Sequence, residues 1–276
     1  MKIKYVITGI LTVFLFGLVA NADSQEKESV KVKAVAMLGS KNEDTIEKGF
    51  WLIVDSNMRV KAEYRNDADI KKKVWEAFKF LSPNVGNLKP ESSEGTSSAE
   101  YLLKIMGDTR ETRGIPYLIA NIHVSACQYS LSRLGAPAIA SLQEILSSGS
   151  ELQKIGAART LALMLEEKPK EIEIYNLVDG KFVKQLSSNP NYGDYTATGK
   201  DRDKIKGVLR SQLGLKDSRV KEHVLRALYY VVDESDVGEL ERIANTDSYQ
   251  EGGGYPVREA AKKSLDKIGT IKGQGK

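Results

Sequence analysis

YPVREAAKKSLDKIG, residues 255–269, reads as one helix with a proline at its first turn and a glycine past its last. Val257, Ala260, Ala261, Leu265 and Ile268 recur at helical spacing and make one apolar face, with Arg258 beside it. Looser copies lie upstream at 30–39 (VKVKAVAMLG), 70–81 (IKKKVWEAFKFL), 99–107 (AEYLLKIMG), 124–135 (VSACQYSLSRLG), 152–165 (LQKIGAARTLALML) and 220–232 (VKEHVLRALYYVV). The copies ending at 107, 135 and 165 are spaced by 28 and 30 residues, and the two ending at 232 and 269 by 37. Spacing this regular is the mark of a repeat protein.

Shorter apolar helices lie between these segments, most clearly 115–122 (IPYLIANI), 137–146 (PAIASLQEIL) and 237–244 (VGELERIA). Pro116 and Pro137 sit where a helix opens, because proline lacks no needed hydrogen bond there. Gly107 and Gly135 are expected to close the preceding helices in left-handed caps. Each unit is therefore expected to be a helical hairpin. One hairpin cannot bury both its apolar faces alone, whereas stacked hairpins share a continuous core. The pairs Ala157-Ala158 and Ala260-Ala261 would let neighbouring helices approach closely.

Residues Leu134-Gly135-Ala136-Pro137-Ala138-Ile139, Leu142, Leu146, Leu152, Ala157-Ala158-Arg159 and Leu161 resemble a HEAT repeat. So does 237–269, where Val257-Arg258-Glu259-Ala260-Ala261 follows the family's Val-Arg-x-x-Ala-Ala pattern; 218–228 follows it in part. The resemblance implies an all-α fold, an α-solenoid of stacked HEAT-like hairpins whose second helices line a concave face. Divergent helical repeats are expected over 23–107, where Trp51 and Trp75 replace smaller core residues. Closer repeats are expected over 108–166 and 201–269, an insertion over 167–200, and a flexible basic tail over 270–276. The motif is a packing code and carries no chemistry.

In the insertion, Ile172 and Ile174 alternate with Glu171 and Glu173, and Asp179-Gly180 follows. A β-hairpin turning at Asp179-Gly180 and a short helix capped at Gly180 both fit. The stretch 187–200, rich in glycine, proline and asparagine, should be irregular.

Residues 1–22 read as a secretory leader. Lys2 and Lys4 precede an uncharged apolar run over 5–19, and Ala20-Asn21-Ala22 matches a small-x-small cleavage site. The run is shorter than the ~20 residues needed to span a bilayer. Cleavage after Ala22 would yield a periplasmic or secreted bacterial protein with no stable membrane insertion. It would remove two lysines and lower the net charge from +4 to +2, which argues against a nucleic-acid partner. Cys127, the one cysteine, shares a face with Val124, Leu131 and Leu134 and reads as a core residue.

No metal, cofactor or catalytic signature stands out. The two histidines, His123 and His223, have no second histidine at ligand spacing and read as structural. The expectation is a non-catalytic scaffold of the cell envelope that binds a protein or peptide. Arg133, Arg159, Lys221, Arg226, Arg258 and Lys262, polar residues beside apolar stripes, are the contact residues to expect, joined by Tyr192 and Tyr195 on the insertion. The competing readings are a purely structural envelope component and an enzyme, since some HEAT-like proteins resemble bilin lyases. Those lyases act in the cytosol, and a leader argues against them.

Overall fold

The computed structural model describes residues 25–81, 98–178, 181–189, 191 and 194–274. The leader, the loop at 89–97, Asp179-Gly180 and Tyr192 lie outside the described residues. The chain is mostly helical and divides into two compact units, Met1–Val85 with Thr96–Leu102, and Gly86–Gly95 with Leu103–Lys276. No helix among the described residues is long and apolar enough to cross a membrane.

The first unit holds helices α1 (25–38), α2 (Glu43–Ile53) and α3 (Ala68–Leu81), and the start of α4 (Ser98–Met106). The Asn42 side chain caps α2 by accepting from the Thr45 amide, and the Asp67 carboxylate opens α3 by accepting from Asp69 and Ile70. α3 buries Ile70, Val74, Ala77, Phe78 and Leu81, one stripe at helical spacing. Phe50 stacks on Tyr101 at 5.2 Å and meets the edge of Trp51 at 5.1 Å. Trp51 remains 46% exposed, so it borders this core instead of filling it.

The second unit carries α5 (Ile115–Ala120), α6 (Ser125–Leu134), α7 (Ala136–Ser148), α8 (Glu151–Leu165), α9 (Gly199–Ser211), α10 (Ser218–Leu228), α11 (Val237–Thr246) and α12 (Pro256–Gln274). Helices α6, α8, α10 and α12 pack in succession as one row, and α5, α7 and α9 as a second. α7 lies against α8, and α11 against α12. Only Gly149 and Ser150 join α7 to α8; Ser150 forms a capping box with Gln153 that satisfies the first amides of α8. The shared core includes Leu131, Leu142, Leu161, Val224, Leu228, Val257 and Ala261, with Cys127 buried as expected. Burial of this kind contributes about 1.5–3 kcal/mol per large side chain.

Three glycines act differently from expectation. Gly107 lacks a left-handed backbone. A Cβ there would stand 2.5 Å from the Ser130 carbonyl oxygen, so its role is to let α6 approach. Ser130 closes the same contact by donating to the carbonyl oxygen of Leu103 at 2.8 Å. Gly135 does have positive φ (75°), but with ψ −136°, and the ring of Tyr195 covers it. Nor does Gly269 end the last helix. α12 continues through it to Gln274, because an interior glycine costs only about 1 kcal/mol and no proline follows.

The insertion forms a β-hairpin. β1 (Glu171–Val178) and β2 (Lys181–Ser188) pair antiparallel, with Val178 opposite Lys181 around the Asp179-Gly180 position. The chain then returns to the helices and is tied down. The Ala197 amide donates to the Met164 carbonyl at 2.7 Å. The Lys168 ammonium donates to the carbonyls of Leu163 (2.7 Å), Glu166 (2.9 Å) and Tyr195 (3.2 Å), satisfying groups left over at the C-terminus of α8.

Candidate functional site

The row α6, α8, α10 and α12 turns matching faces outward. On α6 these are Ser125, Gln128 and Tyr129; on α8 they are Arg159, Ala162 and Leu163, with Glu166 just past its end. On α10 they are His223 and Arg226, followed by Tyr229 and Tyr230, and on α12 they are Ala260 and Lys263. On α6 and α8 the later residues fall three and four positions after the first, so each set shares one face. Together they line a groove of about 510 Å³.

The apolar part of the lining is Ala162, Leu163 and Ala260, and larger residues at the two alanines would fill the space. Ala261, the second alanine of its pair, is fully buried and serves the packing between helices. Tyr129 and Tyr229 also line it and remain 42% and 38% exposed. Tyr229 and Tyr230 meet edge to face at 5.6 Å. Their backbone is held from behind: Lys267 donates to the Tyr229 carbonyl at 2.6 Å and Arg202 to that of Tyr230 at 2.5 Å. The Lys267 ammonium also lies 4.5 Å over the Tyr229 ring.

The charges are unevenly distributed. Arg159, Arg226 and Lys263 face the groove, and Glu166 is the acid among its lining residues. The Arg226 guanidinium reaches back 2.6 Å to Glu222, which is largely buried. The guanidinium of Arg159 lies 3.4 Å from His223 Nε2. A guanidinium has no acceptor, so Arg159 donates and Nε2 accepts, which places the imidazole proton on Nδ1. Burial first, then the charges of Arg159 and Arg226, push the His223 pKa down to about 4, so the ring is neutral near pH 7.

Of the residues expected from the sequence, the structure brings Arg159 and Arg226 together in the groove and puts Arg133, Lys221, Arg258, Lys262 and Tyr195 outside its lining, while Tyr192 lies outside the described residues. Arg133 bridges Asp194 at 3.2 Å and the buried Asp108 at 3.7 Å. Lys221 pairs with Asp247 at 2.9 Å in a site where both side chains are largely buried. Arg258 donates to the Asp247 carbonyl and lies 4.5 Å over Tyr255. These three cations hold the fold together. Lys262 is exposed on α12 outside the groove lining, and its neighbour Lys263 takes the position expected of it. Tyr195 is no exposed anchor. Its ring covers Gly135 and its hydroxyl donates to Asp201 at 2.7 Å, with burial and that carboxylate raising its pKa.

The sequence reading missed the three groove tyrosines and treated His223 as structural. Tyr129 and Tyr229 had one available signal: large side chains at helical spacing from apolar stripes, on the side of Arg159 and Arg226. Among the described residues, no three His, Cys, Asp or Glu side chains cluster as metal ligands. Compared with known proteins, the chain matches no protein-family model and no curated protein.

Proposed function

We propose that this chain is an exported scaffold that binds a protein or peptide in the groove of α6, α8, α10 and α12. Its helical hairpins would form a HEAT-like solenoid. The observation that carries the reading is the groove itself. Four successive helices of one row contribute apolar residues, two exposed tyrosines and an arginine pair to the lining of a single depression. Tyrosine offers large contact area at low entropic cost, and arginine supplies directional donors, and both are enriched at binding hot spots. The stacked-hairpin reading is supported by the row packing of α6, α8, α10 and α12.

A photo-crosslinking amino acid placed at Tyr129 tests the groove in the native envelope. A control at Val32, which is 59% exposed in the first unit, reports chance encounters. The expected result is a crosslinked polypeptide from position 129 that is absent from position 32 and abolished by adding Ala162→Trp. Equal crosslinking at the two positions would overturn the proposal. Export is tested separately by the N-terminus of the accumulated protein, expected at Asp23; retention of the leader in cytosolic material would contradict it.

A further inference from the structure

We infer that the occupant of this groove is an extended acidic peptide segment, whose carboxylates meet Arg159 and Arg226 while alternate apolar side chains lie on Ala162, Leu163 and Ala260. The inference rests on the groove being the binding face and adds the chemistry of the ligand.

Charge is the first argument. The three cations of the lining stand against Glu166 alone, and Glu166 lies beside Tyr230, where its charge helps raise the tyrosine pKa after burial. The hydrogen-bond neighbour of Arg159 is the His223 imidazole, and among the described residues Arg159 makes no ion pair with a carboxylate. Arg226 commits one side of its guanidinium to Glu222 and has donors left over. Two guanidinium groups converging on one ring concentrate positive potential, and a carboxylate accepting bidentate bonds is its geometric complement. A basic segment would meet repulsion from all three cations.

Shape is the second argument. Helices in contact lie about 8–10 Å apart, so crossing from α6 to α12 covers roughly 27 Å. At about 3.3 Å per residue that is about eight residues of extended chain. Alternate side chains of such a chain point to opposite sides. One set can rest on the alanine and leucine residues of the lining while the other reaches its cations. Three cations over this length are too few to track the phosphates of a nucleic-acid strand, and the apolar part of the lining gives such a strand nothing to bury.

The test uses the purified chain and fluorescein-labelled octapeptides read by anisotropy. One alternates glutamate and leucine, one glutamine and leucine, and one lysine and leucine; a labelled single-stranded oligonucleotide is a fourth probe. The glutamate peptide should bind at least about tenfold more tightly than the glutamine peptide at low salt, with the gap narrowing as salt screens it. The double variant Arg159→Glu with Arg226→Glu should lose the glutamate peptide and gain the lysine peptide, a swap that a misfolded protein could not show. Equal binding of glutamate and glutamine peptides, both blocked by Ala162→Trp, would overturn the acidic ligand while leaving the groove as the binding face. An oligonucleotide bound more tightly than the glutamate peptide, and lost in the double variant, would overturn a peptide ligand. If none of the three peptides bound, the inference would fall, and crosslinking at position 129 would still decide the proposed function on its own.

Discussion

Replacing Gly135 by alanine should reveal how the insertion is fastened to the helices. Gly135 joins α6 to α7 at φ 75° and ψ −136°, a backbone region open to glycine and strained for any residue with a Cβ. That strain costs about 1–3 kcal/mol. The added Cβ would also lie 2.6 Å from two ring carbons of Tyr195, against an ordinary carbon contact of about 3.5–4.0 Å. The ring must shift by about an ångström, and its hydroxyl bond to Asp201 shifts with it; lost packing adds roughly 1 kcal/mol. The sum is about 3 kcal/mol, or about 9 °C in Tm for a unit of this size. Urea unfolding followed by helical circular dichroism measures the first, and calorimetry the second. A double-mutant cycle with Tyr195→Ala separates the two contributions: without the ring, Gly135→Ala should cost only the backbone strain. A Gly135→Ala protein within about 0.5 kcal/mol of wild type would refute both the backbone assignment and the ring contact.

Lys221→Met should destabilise the protein by about 2 kcal/mol in urea unfolding, since it removes the ion-pair partner of the largely buried Asp247 carboxylate, which keeps the Tyr249 amide and the more distant charge of Arg242. His223 makes stability depend on acid. Its folded pKa of about 4 lies below the ordinary 6.5, so the folded state binds fewer protons than the unfolded one between those values. The associated stability is fully present above about pH 6.5 and is lost as pH falls towards 4. His223→Gln should flatten the loss in that window, as measured by Tm against pH. Asp233 is held well below the usual carboxylate range by Lys206 first, then Ser235. Its contribution is present above the ordinary 3.8 and disappears only in stronger acid, so Asp233→Asn should leave the His223 window intact.

Much of the helical architecture was legible because its punctuation is local. Pro116 and Pro137 open α5 and α7 where expected, and most of the stripe residues of α6, α8 and α12 are buried, although Leu152 is 63% exposed and Leu265 only partly buried. α9 was not singled out, because its buried residues are only Ile205, Val208 and Leu209 and its mean composition is strongly polar. The hairpin was one of the two readings that the Asp179-Gly180 signal left open, whereas the tethering of residues 194–198 by Lys168, Arg133 and Gly135 depends on partners distant in sequence. The site was half legible for the same reason. Arg159 and Arg226 border apolar stripes and do face the groove. Lys221 and Arg258 border them as well, but Asp247, remote from Lys221 in the chain, claims both. Lys262 and Lys263 differ by one position, about 100° around the helix, and only the packing of α12 against α10 and α11 decides which of them faces the groove. His223 was underrated because its neighbour Arg159 lies on another helix, so the sequence shows no cluster.

Tyrosines offer direct reporters, because the chain has 12 of them and three, Tyr129, Tyr229 and Tyr230, line the groove. Fluorotyrosine incorporated throughout, with each ¹⁹F resonance assigned by single Tyr→Phe substitution, can be titrated with the glutamate–leucine octapeptide. The resonances of Tyr129, Tyr229 and Tyr230 should move together and saturate at one affinity, while Tyr64 and Tyr101 stay in place. Shifts confined to tyrosines outside the groove would place the ligand elsewhere and contradict binding by this row of helices.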